Sequence, residues 1–253
     1  MVSNPSLTLT KEIQIPQMGL GTWNLGANAA KAVAHALHVG YRHIDTADIY
    51  DTHGGIAKAI PVSGIPRAEL FITTKLWSHS VSAKRVGPAV DRFLGELGTD
   101  FIDLLLIHWP SNTPIGETLG AMDEARQAGK VRTLGVSNFG VDLMRDSLDT
   151  GVPVVEYNLN HRPDDVVQFC FSRKVTVTAY SPLERGSAGQ EQLLAELAKK
   201  YSATREEVLL NWLMSKGMIV IPRSAQPEHI ESNFHTLAWP IEEGDAAKID
   251  TPK

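Results

Sequence analysis

The sequence predicts an α/β protein: a (β/α)8 barrel entered through a short N-terminal β-hairpin. Three observations carry that expectation. Short apolar runs alternate with longer amphipathic stretches along the whole chain. Several runs are apolar on both faces, as in Ile102-Asp103-Leu104-Leu105-Leu106-Ile107, which is how strands of a covered parallel sheet read. Eight such runs follow the hairpin within 253 residues, a length at which a closed barrel is still one domain. Alternation alone leaves an open, doubly wound sheet as the competing topology.

The elements follow in order. Leu7–Thr10 and Glu12–Ile15, separated by Lys11, form the opening hairpin. The eight strand candidates are Met18–Thr22, His43–Asp45, Phe71–Lys75, Ile102–Ile107, Thr133–Val136, Val154–Tyr157, Val175–Ala179 and Met218–Ile221. Helical spacing fills the gaps at Ala29–Val39, Gly54–Ile60, Ser82–Leu97, Thr118–Ala128, Leu143–Leu148, Val166–Arg173, Gln190–Tyr201, Thr204–Lys216 and Glu228–Asn233. Ser82 is placed to cap its helix, and Pro227 suits a first helical turn. Ser181–Gly189 is the longest polar interruption and reads as a loop over one end. With no linker, repeat or low-complexity block, residues 1–253 are expected to form one domain.

Composition narrows the function. A net charge of −5 and 21% charged residues lack the basic excess of a nucleic-acid binder. No apolar stretch reaches the roughly 18 residues of a membrane span, and the N-terminus lacks the pattern of a signal peptide, so a cytoplasmic protein is expected. The single cysteine, Cys170, excludes an intrachain disulfide and lies in an apolar stretch that suits packing. The histidines are scattered and no zinc-type spacing occurs, so no metal is expected. Gly19-Leu20-Gly21-Thr22-Trp23-Asn24 begins like a dinucleotide fingerprint but ends on asparagine, and is rejected as one.

The chemistry sits at the ends of the apolar runs. Asp45 ends the second run, Tyr50 follows on the next loop, Lys75 ends the third and His108 follows the fourth. Taken singly, each has a plain structural reading: a turn cap, a solvated lysine, a satisfied histidine. An acid, a phenol, an ammonium and an imidazole at consecutive strand ends point instead to one mouth, where barrel active sites lie.

These segments resemble the aldo-keto reductase family over nearly the whole chain. The resemblance rests on Gly19-Leu20-Gly21-Thr22-Trp23, Gly40-Tyr41-Arg42-His43-Ile44-Asp45-Thr46-Ala47 with Tyr50, and Thr73-Thr74-Lys75-Leu76-Trp77. It continues through Asp103–Pro110, Gly135-Val136-Ser137-Asn138-Phe139, Tyr180-Ser181-Pro182-Leu183, and Ile221-Pro222-Arg223-Ser224 with Asn233-Phe234. The compact length is similar to the small bacterial type that reduces diketogluconate and methylglyoxal. The resemblance implies a TIM barrel and an NADPH-dependent oxidoreductase acting on small aldehydes, ketones or dicarbonyls, with NADH as a second cofactor. It implies Asp45, Tyr50, Lys75 and His108 as the catalytic group, with the Lys75 ammonium lowering the Tyr50 phenol. Ser137 and Asn138 would bind the nicotinamide carboxamide, Tyr180 would stack on its ring, and Ser181 and Leu183 would follow the pyrophosphate. Arg223, Ser224 and His229 would meet the 2′-phosphate and Asn233 the adenine. Trp23, Trp77 and Trp109 would wall the substrate pocket.

Two departures from the family pattern stand out. His53 occupies a position usually held by glutamate and is expected near the mouth, as part of the substrate pocket. Val154 stands where a glutamine usually contacts the nicotinamide amide. The chain also ends soon after its last expected helix, which implies an open, permissive pocket. A small carbonyl substrate is the expected partner, and the protein is expected to be a monomer. The alternative is a catalytically weak nicotinamide-nucleotide-binding barrel acting as a subunit or sensor. A weaker third reading is a barrel hydrolase or isomerase using Asp45 and His108.

Overall fold

The computed structural model describes residues 3–146, 152–157, 159–184 and 187–251. An antiparallel hairpin, β1 (Ser6–Thr8) and β2 (Gln14–Pro16), opens the chain. Eight parallel strands follow: β3 (Gly19–Gly21), β4 (His43–Asp45), β5 (Phe71–Leu76), β6 (Ile102–Ile107), β7 (Val131–Ser137), β8 (Val152–Glu156), β9 (Thr178–Tyr180) and β10 (Ile219–Val220). They hydrogen-bond in chain order. Bridges from Met18 to Val220 and from Gly21 to Arg223 join the first strand to the last, so the sheet closes into a barrel. Closure needs Gly21, because a Cβ there would lie 2.7 Å from the carbonyl oxygen of Ile221.

The alternation of side chains along each strand sorts the core into two compartments. Ile44, Ile72, Leu105, Val136, Ala179 and Val220 face outward and pack beneath the helices. Phe71, Leu104, Leu106, Ile219 and Ile221 face inward, and Ile15 of the hairpin joins them with Leu7, Leu9 and Ile13 packed alongside. The hairpin thus plugs one end of the barrel. The other end stays available for polar side chains.

The helices among the described residues are α1 (Ala29–Val39), α2 (His53–Ser63), α3 (Ala83–Leu97), α4 (Ile115–Gln127), α5 (Val141–Asp146), α6 (Asp164–Ser172), α7 (Ala188–Tyr201), α8 (Arg205–Ser215), α9 (Pro227–His235) and α10 (Glu243–Asp250). In α3, Val86, Ala89, Val90, Phe93 and Leu97 are buried at helical spacing. Ser82 has extended dihedrals at the N-cap, but its side chain makes no capping bond. A capping box between Ser187 and Gln190 starts α7 earlier than its apolar pattern does.

Other boundaries also shift for identifiable reasons. Val175 lies outside β9 because its N–H bonds to the carbonyl of Cys170 in a turn, after Lys174 at φ 59°. The last turn expected for Leu143–Leu148 lies partly outside the described residues. Helix α10 was not expected at all, since Ile249 is its one large apolar residue. Polar bonds dock it: Lys200 and Tyr201 both donate to Asp245, and the Trp212 indole donates to Asp250. Cys170 is buried, and burial pushes its thiol up to about 11, in keeping with a packing role.

At the base of the barrel, the buried Asp103 carboxylate accepts from Arg67 Nη2 at 2.7 Å, from Arg132 Nη1 at 3.2 Å and from the Ile72 backbone N–H at 2.9 Å. Removing it strands a buried donor and a largely buried guanidinium. Asp103→Ala should destabilise the fold by about 3–5 kcal/mol. Chemical denaturation would measure this, and any activity should persist wherever the variant remains folded.

Candidate active site

Strand parity builds the site. On β4, His43 and Asp45 follow the inward register; on β5, so do Phe71, Thr73 and Lys75; on β6, Leu104 and Leu106 do, and His108 continues their series. Asp45 pairs with Thr73, while Lys75 pairs with Leu106 one step higher, and His108 follows above. The stagger of adjacent strands therefore stacks the three polar groups as a rising series. Tyr50 reaches the same space from a short 3-10 turn, Asp48–Tyr50.

Lys75 Nζ donates to Asp45 Oδ1 at 2.5 Å and to the Thr46 carbonyl at 2.8 Å, all within the buried wall. Burial opposes the ammonium charge. The Asp45 carboxylate and the Tyr50 hydroxyl outweigh it, so Lys75 is held above its ordinary pKa. The same ammonium lies 5.1 Å from the centre of the Tyr50 ring. The Tyr50 hydroxyl is 3.4 Å from His108 Nε2, with the two rings edge to face. Burial pushes the phenol above its ordinary range, against the pull of Lys75 and with Asp45 reinforcing the rise. That corrects the sequence-based expectation of a lowered phenol: in this structure desolvation wins. Burial, aided by the Lys75 charge, pushes His108 down to about 3, so its imidazole is neutral at ordinary pH. The buried Asp45 Oδ2 and His108 Nδ1 have no hydrogen-bond partner among the described residues.

These four residues open into one cavity of about 480 Å³. Trp23, Trp77, Trp109 and Ile49 form its outer wall, and Trp77 packs edge-on against His108. Ser137, Asn138, Tyr180, Ser181, Leu183 and Arg223 line the rest. Asn138 donates from Nδ2 to the His108 carbonyl and to Ser137 Oγ, both at 3.0 Å, and accepts from the Tyr180 hydroxyl at 2.8 Å. Its amide hydrogens are therefore committed within the protein. Arg223, at the far end, has no ion-pair partner among the described residues. Ser224, His229 and Asn233 lie beyond the cavity, Ser224 just before α9 and the other two within it: Ser224 and Asn233 are buried and His229 is exposed. Asn24, Asp51, Asn138 and Ser181, each within or beside a cavity-lining stretch, have φ between 47° and 63°. Such left-handed backbone is costly outside glycine and gathers at functional sites.

His53 is not part of this cavity. Its Nε2 meets Thr74 Oγ1 at 2.8 Å, its Nδ1 meets Glu96 Oε2 at 2.7 Å, and its ring packs on Phe93. Thr74 has outward parity on β5, so His53 lies behind the barrel wall, between sheet and helices. The expectation of a substrate-pocket residue is thereby corrected. The side chain of Val154 lies outside the described residues. Sequence reasoning missed Ile49, whose exposed aliphatic chain beside Tyr50 was its only signal, and the acidic Glu184 at the rim.

A closed parallel barrel with a polar constellation at the carboxyl ends of its strands, opening into one deep cavity, defines a barrel enzyme. The chain matches the Aldo/keto reductase family over residues 17–252. It is 37% identical over 245 residues to methylglyoxal reductase DkgB of Escherichia coli O157:H7, spanning 93% of this chain and 92% of the relative. It is 35% identical over 254 residues to a 9,11-endoperoxide prostaglandin H2 reductase of Trypanosoma cruzi, spanning 96% and 90%. Among solved structures, an aldo/keto reductase of Brucella melitensis matches at a TM-score of 0.92 and 35% identity, with 98% of each chain covered. A Bombyx mori aldo-keto reductase in complex with NADP matches at 0.92 and 31% identity, covering 99% of this chain and 93% of the other. The protein belongs to the aldo/keto reductase family.

Two histidines make the stability of this site pH-dependent. Burial pushes both His43 and His108 down to about 3 in the folded protein, against about 6.5 in an unfolded chain. The folded state thus binds fewer protons between these limits, and stability must fall as pH drops through that window. Urea midpoints should decline between pH 7 and pH 5, before carboxylates titrate appreciably. A flat profile would contradict the burial of these rings as neutral groups.

Proposed function

We propose that the protein reduces small aldehydes, ketones or dicarbonyls to alcohols with NADPH, using NADH less well. The observation carrying this reading is the convergence of Tyr50, Lys75, Asp45 and His108 on one cavity. The donor set along that cavity fits a nicotinamide nucleotide. Polar groups at Ser137 and Asn138 suit a carboxamide, the Tyr180 ring suits a flat heterocycle, and Arg223, with no ion-pair partner among the described residues, supplies a guanidinium for an anionic group. Because the amide hydrogens of Asn138 are committed, its part is to accept through Oδ1, while the Ser137 hydroxyl donates. Ser181 and Leu183 would follow the pyrophosphate, Ser224 and His229 would assist Arg223 at the 2′-phosphate, and Asn233 would face the adenine.

The nicotinamide, when bound, supplies the hydride that a carbonyl carbon accepts. The protein's own residues manage the oxygen. A carbonyl oxygen between the Tyr50 hydroxyl and His108 Nε2 can accept from both, so charge developing there meets two donors. Tyr50 gives up its proton to that oxygen as general acid. The resulting phenolate is stabilised by Lys75, and Asp45 keeps Lys75 charged. Neutral His108 orients and polarises the carbonyl without competing as an acid. The tryptophan wall with Ile49 excludes water and favours apolar or aromatic groups next to the carbonyl.

Loss of NADPH absorbance with methylglyoxal, an aromatic aldehyde and a keto-sugar tests the reading. Oxidation of neither cofactor across such a panel would overturn it, and tight cofactor binding without turnover would favour a nucleotide-binding subunit or sensor instead. Tyr50→Phe should abolish reduction while leaving cofactor binding intact, as followed by protein fluorescence. Arg223→Ala should weaken NADPH binding by about ten- to a hundredfold, the worth of a charge-assisted hydrogen bond, and affect NADH far less.

A further inference from the structure

The segment that carries Tyr50 is held at both ends by one face of α3. At its start, Asp48 sits two residues before Tyr50. Its largely buried carboxylate accepts from Arg92 Nη2 at 2.8 Å and from Ser80 Oγ at 3.2 Å, with His79 Nε2 also at 3.2 Å. At its end, His53 donates from Nδ1 to Glu96 Oε2 at 2.7 Å. Arg92 and Glu96 lie one helical turn apart and bond to each other at 3.1 Å. The loop Asp48–His53 is therefore closed into a ring by two residues of a single helix. Its other nitrogen ties His53 to Thr74, the chain neighbour of Lys75. Between the two anchors, Asp51 takes a left-handed conformation at φ 54°, which fixes the direction in which the turn leaves Tyr50.

We infer that Arg92 and Glu96 form a bracket that positions Tyr50 against Lys75 and His108, acting through Asp48 and His53. They are positioning residues, since neither lines the cavity. The inference deepens the reading of Tyr50 as the proton donor and rests on it. Its physical basis is that proton donation demands a hydroxyl placed within a fraction of an ångström; buried Thr52, bonded to Thr46 and Thr22, fixes the far part of the turn, while Ile49 next to Tyr50 is exposed and leaves that part to its anchors. A bridging guanidinium suits the task because one planar fork can hold Asp48 and Glu96 together. With Nδ1–H on Glu96, neutral His53 accepts from the Thr74 hydroxyl, so both ring nitrogens are occupied.

The charged pair gives a clean test, because Arg92 and Glu96 are each about 40% exposed. An exposed ion pair of purely structural worth contributes little to stability and nothing to the chemical step. Arg92→Met and Glu96→Ala should each lower kcat by about tenfold with KM for the carbonyl unchanged; Arg92→Met should also lower the melting temperature, because the buried Asp48 carboxylate loses a partner. Glu96→Gln, which still accepts from His53, should retain more of kcat than Glu96→Ala. Independently of turnover, the Tyr50 resonance in cofactor-free, 13C-tyrosine-labelled protein, assigned through Tyr50→Phe, should shift or broaden in Arg92→Met. Unchanged kcat and an unchanged Tyr50 resonance in both disrupted variants would overturn the bracket. So would a kcat loss that tracks a fall in melting temperature while Tyr50 stays unshifted. If the unmodified protein reduced no carbonyl, the functional reading would fail on its own, and the resonance would still decide whether the bracket positions Tyr50.

Discussion

The buried contact between the Lys75 ammonium and the Asp45 carboxylate is the constraint around which the mouth is organised. A lone ammonium in the inner wall of a barrel would lose its proton, because desolvation disfavours the charge. Asp45 on the adjacent strand prevents that at a fixed distance, and the Thr46 carbonyl takes a second hydrogen of the same group. The charge so retained bears on everything nearby. It counters part of the burial effect on Tyr50, and it helps keep His108 neutral. One ion pair thus bears on the protonation of two further groups, in which burial is the larger effect.

Barrel closure makes that pair affordable. Inward positions on β5 and β6 pass from apolar at the plugged end to polar at the open end: Phe71 to Thr73 to Lys75, and Leu104 to Leu106 to His108. The hairpin seals the apolar end with Ile15, and Gly21 allows close approach at the seam. Gly19 gives room to the neighbouring strand, because a Cβ there would collide with the His43 ring. The inward-facing charges Asp45 and Lys75 therefore share one layer next to the cavity.

Much of this was legible in the chain itself. His43–Asp45 and Ile102–Ile107 appear as strands with the boundaries their apolar runs suggest, and α1 spans Ala29–Val39 as its spacing implies. Those elements are dominated by local pattern. Helix α10 was not legible, because its docking depends on Lys200, Tyr201 and Trp212 from distant segments rather than on an apolar stripe. His53 was misplaced for a related reason: proximity in sequence to Tyr50 suggested the cavity, while its partner Thr74 lies on the outward face of β5. A single residue of register separates the two compartments.

Fold class, family and the polar side chains at strand ends can be read along the chain, because strand period and residue type are local properties. Which of those side chains share a cavity, which way the Tyr50 phenol is pushed, and the reach of Arg92 and Glu96 to both ends of its turn emerge on folding. Those outcomes depend on inter-strand stagger, on burial, and on the approach of a helix over 40 residues away in the chain, none of which is encoded at any one position.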